Sequence, residues 1–60
     1  MKAKEILAIA EKYTTSKGEY TAFNNMYLGF RQYNGIADSV RMSLIYLYGI
    51  NITKKILGEE

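Results

Sequence analysis

Hydrophobic and polar positions recur along this chain with the period of an α-helix, about 3.6 residues per turn. From Lys2 to about Thr14, one side of a helical wheel is apolar and the other carries lysine and glutamate. The apolar side holds Ala3, Ile6, Leu7, Ile9, Ala10 and Tyr13. This pattern predicts an amphipathic first helix whose apolar side packs on the rest of the chain.

The segment from Ile36 to Tyr48 is apolar on two opposite sides. One broad face carries Ile36, Ala37, Val40, Leu44, Leu47 and Tyr48 and predicts contact with the core. A second face carries Met42, Ile45 and Tyr46, and narrow polar strips separate the two faces, made of Asp38, Ser39, Arg41 and Ser43. A helix with this pattern needs neighbours on both sides, so we expect the other elements to surround it.

The chain is short for so much apolar surface. A folded chain of 60 residues buries only about 60% of the surface that it exposes when unfolded. The sequence has no cysteine and no histidine, so neither a disulfide nor a usual zinc site is expected to stabilise it. We therefore expect part of the second face of the central helix to be kept for a partner.

Residues 19–33 allow two interpretations, because they are rich in residues that disfavour helices. In a hairpin, Asn24 and Asn25 form the turn, and apolar residues alternate after it. In a helix, one stripe collects Tyr20, Phe23, Tyr27 and Phe30, with Ala22, Met26 and Tyr33 at its edge. Gly35 favours the helix, since a glycine after Asn34 is typical of a left-handed helix end, and Gly49 predicts a similar end for the central helix.

Small polar residues predict the helix starts. Residues 14–17 interrupt the first apolar pattern, and Ser16 with Glu19 fits a capping box that begins a second helix. Asn51 predicts the cap of one more helix, Ile52–Leu57.

Together these segments predict one all-α domain over residues 1–60, a three-helix bundle with a short fourth helix, with a dimer as an open option. The alternative is an α+β fold in which a hairpin lies between helices.

The composition is that of a globular chain, with 48% hydrophobic and 23% charged residues and a net charge of +2. Glu5 and Glu11 interrupt the N-terminal apolar run, which argues against a signal peptide. The run from Leu44 to Ile52 is shorter than the roughly 20 residues of a membrane span. The absence of cysteine suits a reducing compartment, so the cytoplasm is the expected location.

No arrangement of residues typical of an enzyme occurs in the sequence. The carboxylates Glu5, Glu11, Glu19 and Asp38 are isolated from one another, and the glycines match no phosphate-binding motif. We therefore expect a protein without catalytic activity, cofactor, metal or small-molecule substrate.

Six tyrosines in 60 residues point instead to contact between proteins, because tyrosine is enriched at interfaces. Tyr13, Tyr20 and Tyr27 lie on core-facing stripes and are expected at the margin of the core. Tyr46 lies on the second face of the central helix. The main hypothesis is thus a small binding or regulatory module that uses Met42, Ile45 and Tyr46 to associate with itself or to cap or inhibit another protein.

The alternative hypothesis is a small DNA-binding regulator. The segment from Leu44 to Ile56 resembles a helix-turn-helix motif, with Gly49 and Ile50 in the turn. That resemblance implies phosphate contacts by Thr53, Lys54 and Lys55, supported by Arg41 and Lys17. Two positions depart from the motif, since Ile45 is bulky where a small residue is usual and Lys55 is charged where an apolar residue is usual.

Overall fold

The protein consists of four α-helices joined by short connections, in a computed structural model that describes residues 2–59 without the side chain of Lys17. The helices are α1 (Ala3–Lys17), α2 (Tyr20–Phe30), α3 (Ile36–Tyr48) and α4 (Ile50–Leu57). Over the described residues no segment forms a β-strand. The predicted all-α class with a short fourth helix is therefore confirmed, and the hairpin alternative is wrong.

Helix α3 is the centre of the bundle and has the predicted bounds. It packs against α1, α2 and α4, whereas within residues 2–59 helices α2 and α4 do not pack on each other. Helix α1 also contacts α2 and α4. The radius of gyration is 10.2 Å, which matches the roughly 10 Å expected for a folded chain of this length.

The core takes side chains from all four helices, namely Ile6, Ala10, Phe23, Val40, Leu44 and Leu57. The predicted core face of α3 is confirmed, because Val40 and Leu44 are fully buried and its other four members pack against the core. Each helix contributes at least one fully enclosed apolar side chain, so the loss of any one helix exposes part of the core.

Four hydroxyl side chains are buried beside this core. Each donates a hydrogen bond to the backbone carbonyl four residues earlier, at 2.7–2.9 Å, and they are Thr14, Ser39, Ser43 and Thr53. Of the polar strips of α3, Ser39 and Ser43 are therefore buried beside the core. With its hydroxyl satisfied by its own helix, a serine acts as a small spacer that costs little to bury.

Helix α1 is longer than predicted. Residues 14–17 continue it, and Ser16 donates its hydroxyl to the carbonyl of Lys12 instead of capping a new helix. Gly18 ends α1 at φ 72°, and α2 begins at Tyr20 with no side-chain cap from Glu19. The predicted capping box is therefore wrong, because hydroxyl residues in the last turn of a helix can bond to their own helix.

Helix α2 ends earlier than predicted, and its end does not use a left-handed glycine. Gly35 has φ −71° and precedes the first turn of α3. The amide side chain of Asn34 and its backbone N–H both donate to the carbonyl of Phe30, at 3.0 Å each. Asn34 thus completes the end of α2, as Gly35 was predicted to do.

Helices α3 and α4 are separated by Gly49 alone. Its φ of 88° fits the predicted glycine turn, while its ψ of 163° places it outside the left-handed helical region. Helix α4 therefore begins at Ile50, two residues before the predicted start. Asn51 lies inside the helix and is not its cap.

The hydroxyl of Tyr48 is buried at the end of α3. The Tyr48 ring packs edge-on against Tyr13, with centroids 5.3 Å apart. Among the described residues none forms a complete hydrogen bond with the Tyr48 hydroxyl, although the Glu19 carboxylate lies near it. Burial, followed by the influence of Glu19, raises the pKa of Tyr48 to about 12.

A Tyr48→Phe variant is expected to be more stable than the parent by up to about 1 kcal/mol, because it removes an unsatisfied buried hydroxyl. Because burial raises the folded pKa of Tyr48 above the ordinary value of 10.0, the unfolded chain releases this proton at a lower pH than the folded protein does. The parent is therefore expected to lose stability as the pH rises from about 10 through about 12. Urea titrations from neutral to alkaline pH should therefore show a smaller loss of stability in the variant. Parallel curves for both proteins would contradict this account.

Candidate functional site

The second face of α3 is only partly covered by the rest of the molecule. Met42 is half-buried, Ile45 is 38% exposed and Tyr46 is 75% exposed. These three side chains are neighbours, because positions three and four apart lie on one side of a helix. Phe30 of α2 covers one edge, with its ring centroid 5.9 Å from that of Tyr46. The remaining surface faces outward.

Exposed apolar side chains are concentrated where α3 meets α4. Seven large apolar or aromatic residues are exposed in the described part of the chain, and four of them fall within residues 45–52. We call these four the corner patch, and they are Ile45, Tyr46, Ile50 and Ile52. Two of them precede the single-residue connection at Gly49 and two follow it.

Ile50 and Ile52 were not predicted to belong to the site. Helix α4 packs through Thr53, Ile56 and Leu57, whereas the two isoleucines lie in the turn before them. Their spacing predicts that at least one of them is exposed, because side chains two residues apart are rotated by about 200° around the helix axis. Two isoleucines at that spacing cannot both face one core.

A groove of about 320 Å³ adjoins the corner patch through Tyr46. Its walls come from α2 and α3, and its lining residues are Asn25, Met26, Gly29, Phe30 and Tyr46. A Cβ atom added at Gly29 would meet nothing within 4 Å, so the missing side chain leaves open space there. Met26 and Phe30, predicted on the core stripe, are half-buried at this edge and form an apolar wall.

A second groove, of about 340 Å³, lies between α1 and α4 and is lined by Ile9, Lys12, Tyr13, Ser16 and Ile56. None of these lining residues belongs to the large exposed apolar set. The predicted place of Tyr13 and Tyr27 at the core margin agrees with the structure, since both are half-buried. Tyr20 is more exposed, and its hydroxyl lies 3.4 Å from the Glu11 carboxylate.

The guanidinium group of Arg41 interacts with two carboxylates. Its Nε and Nη2 donate to the two carboxylate oxygens of Glu59, and its Nη1 lies 3.8 Å from Asp38. The hydrogen bonds with Glu59 raise the pKa of Arg41, and those with Arg41 lower the pKa of Glu59. This ion pair joins the segment after α4 to the middle of α3.

Lys54 and Lys55 carry the unpaired positive charge beside the corner patch. Both are exposed, and neither forms an ion pair within residues 2–59. The sequence contains no carboxylate from Ser39 to Gly58. The corner patch is therefore bordered by positive charge on α4.

The residues expected to contact phosphate are not brought together. Thr53 is buried and donates its hydroxyl to Gly49, while Arg41 is held by Glu59. The side chain of Lys17 lies outside the described residues. Of the four expected contacts whose side chains the structure describes, Lys54 and Lys55 are the two that are exposed and form no ion pair within residues 2–59.

The described part of the chain lacks two further features. No group of three or more acidic, histidine or cysteine side chains is placed to hold a metal ion. None of the helices combines the length and the apolar character needed to cross a bilayer.

Comparison of the chain with protein-family models, curated proteins and solved structures finds no match. The fold and this surface thus define a small all-α bundle with an exposed apolar corner.

Proposed function

We propose that this protein is a small non-enzymatic binding module that contacts another protein molecule through the corner patch and the adjoining groove. The observation that carries this proposal is the concentration of four exposed apolar side chains at one corner. Exposed apolar clusters on small soluble domains mark interaction surfaces, because leaving them in water costs free energy that a partner recovers. Tyr46, large and mostly exposed, is the expected anchor of the contact.

The groove beside Tyr46 supports the same proposal. Its open space at Gly29 and its apolar wall from Met26 and Phe30 are suited to an inserted apolar side chain. Interfaces are strongest where an anchor side chain enters a desolvated pocket, surrounded by contacts that exclude water.

The test compares patch variants with matched controls outside the patch. Tyr46→Ala is paired with Tyr33→Ala, since Tyr33 is 88% exposed, and Ile50→Glu is paired with Leu28→Glu, since these residues are 55% and 56% exposed. Immobilised protein captures partners from a host lysate, and sedimentation equilibrium measures self-association. Both patch variants are expected to lose binding by about thirty-fold, the effect of an interface hot spot of about 2 kcal/mol, while the controls retain it.

Circular dichroism of each variant establishes that loss of binding does not reflect loss of the fold. The proposal fails if patch variants and controls retain the same partners to the same extent. It also fails if the parent captures nothing and remains monomeric at high concentration.

A Gly29→Leu variant tests the groove separately. Glycine inside a helix costs about 1 kcal/mol relative to leucine, so the variant is expected to melt several degrees higher than the parent. Its side chain would occupy the open space beside Tyr46 and weaken partner binding by about tenfold. Gly29→Ala serves as the control, because it gains the helix stability but fills less of the groove. Undiminished binding by Gly29→Leu would exclude the groove from the contact.

A second candidate function is binding of duplex DNA by α4, favoured by the exposure of Lys54 and Lys55. Such binding would weaken with added salt, because each phosphate contact releases counterions. Undetectable duplex binding at low ionic strength would remove this candidate.

A further inference from the structure

We propose that two copies of this chain exchange α4 and form a domain-swapped dimer. In the single chain, α4 packs on α1 and α3. In the exchanged dimer, α3 and α4 form one straight helix through Gly49, and α4 packs on α1 and α3 of the other copy. The partner is thus a second copy, and the surface that recognises it is the cleft beneath α4. This goes beyond the proposed function, whose main contact is the corner patch.

The connection between α3 and α4 is a single residue, Gly49. Its φ of 88° and ψ of 163° lie in a region that is essentially restricted to glycine. A glycine also adopts helical angles without steric cost, so rotation of this one residue joins the two helices. Short, strained connections favour exchange of an element between copies, because the strain is relieved when the connection extends.

The backbone hydrogen bonds on both sides of Gly49 are already those of a continuous helix. Its N–H donates to the carbonyl of Ile45 at 2.8 Å, and its own carbonyl accepts from the N–H of Thr53 at 3.1 Å. Over residues 45–53, all of which the structure describes, the N–H groups of residues 50–52 donate to no carbonyl of α3, and no side chain caps α4. Residues 46–48 offer the matching carbonyls, so straightening adds one hydrogen bond for each of these N–H groups.

A straight helix also brings the corner patch onto one side. In the single chain, Ile50 and Ile52 project from different sides of α4. At about 100° per residue, the four residues of the corner patch fall within an arc of about 160° of a continuous helix. The same arc contains Thr53, Ile56 and Leu57, through which α4 packs on the core. The copy that receives α4 therefore lies on the side that carries the exposed apolar residues, and burying them favours the dimer.

The cleft that receives α4 is complementary to it, because α4 of the same chain already fills it. Leu57 is buried in the core there, and Glu59 forms an ion pair with Arg41. Arg41 and Glu59 are 18 residues apart, so along one straight helix about 27 Å would separate them. In the exchanged dimer this ion pair therefore forms between two copies, which provides a specific test.

The first experiment changes the strain at the connection and measures self-association by sedimentation equilibrium. Gly49→Ala is expected to lower the dissociation constant of the dimer by about a hundredfold, because alanine disfavours the turn and favours the straight helix in both chains. Gly18→Ala is the control, since Gly18 has φ 72° at the end of α1 and an added Cβ atom there also meets nothing within 4 Å. It is expected to leave the constant unchanged. Two glycines inserted after Gly49 are expected to weaken the dimer by about tenfold, because a longer connection closes without strain.

The second experiment distinguishes an exchanged dimer from contact between intact monomers. Arg41→Glu and Glu59→Arg each place like charges where the segment after α4 meets α3. In an exchanged dimer of these two variants, one half regains the Arg41–Glu59 pair and the other half holds the pair with its charges reversed. An equimolar mixture is therefore expected to dimerise about tenfold more tightly than either variant alone, as measured by native mass spectrometry.

The exchange is refuted if the parent and Gly49→Ala both remain monomeric at millimolar concentration, or if Gly49→Ala and Gly18→Ala associate equally. Mixed dimers of the two charge variants at no more than the statistical proportion would also refute it, because they indicate contact between intact monomers. If Tyr46→Ala loses partner binding while Gly49→Ala stays monomeric, the proposed function remains intact and the exchange alone is wrong.

Discussion

A Leu44→Ala variant is expected to lose most of the net stability of the fold. Leu44 is fully buried in α3, which packs against all three other helices. Truncating a buried leucine costs about 2–5 kcal/mol, because it removes transfer free energy and leaves a cavity. A core of this size supplies only about 3–5 kcal/mol of net stability. Urea denaturation followed by circular dichroism measures the loss.

The matched control is Leu47→Ala, one turn further along the same helix. Leu47 is half-buried and packs on the margin of the core, so less apolar contact is lost there. Helix propensity changes equally in both variants, which leaves burial as the difference between them. If Leu44→Ala melts no lower than Leu47→Ala, then burial of Leu44 does not contribute the stability that its packing indicates.

A Gly49→Ala variant is expected to lose about 2–3 kcal/mol and to release α4 before the remaining helices unfold. The backbone at Gly49, with φ 88° and ψ 163°, lies in a region that is essentially restricted to glycine. A Cβ atom there would meet nothing within 4 Å, so the penalty is conformational and not steric contact with a neighbour. The single-residue connection offers no other position that can absorb the strain. Hydrogen exchange should show lost protection at residues 53–57 first.

Gly58 and Gly29 serve as controls, because a Cβ atom added at either position would also meet nothing within 4 Å. Gly58→Ala is expected to cost about 1 kcal/mol, since φ 68° is the left-handed region that alanine tolerates poorly. Gly29→Ala lies within α2 and is expected to gain up to about 1 kcal/mol. An order in which Gly49→Ala is the mildest of the three would refute the conformational argument.

The Gly49→Ala variant is also expected to affect partner binding. Ile50 and Ile52 follow this glycine, while Ile45 and Tyr46 precede it, so the conformation of one residue decides how the two halves of the corner patch are placed together. A variant in which α4 is displaced is therefore expected to lose partner binding even where α1 to α3 remain folded.

Periodicity was sufficient for α3. In residues 19–33 it left helix and hairpin both open, and the helix was favoured by Gly35, whose predicted left-handed conformation is wrong. The apolar stripe of α3 repeats over three turns, and its bounds and core-facing residues are confirmed. Helix ends were predicted less well. The hydroxyl of Ser16 bonds within α1, and Asn34 instead of Gly35 completes the end of α2. Short polar side chains can bond to their own helix or cap the next one, and local sequence does not distinguish these choices.

The sequence by itself determined that the chain forms helices, that α3 has apolar faces on opposite sides, and that a glycine turn follows it. These properties depend on local spacing, which a helical wheel captures. Only the tertiary structure decided that Ser39 and Ser43 are buried, that Arg41 pairs with Glu59, and that Ile50 and Ile52 join Ile45 and Tyr46 at one exposed corner. Burial and pairing depend on which helices approach each other and at which end, and that arrangement is a property of the whole packed chain.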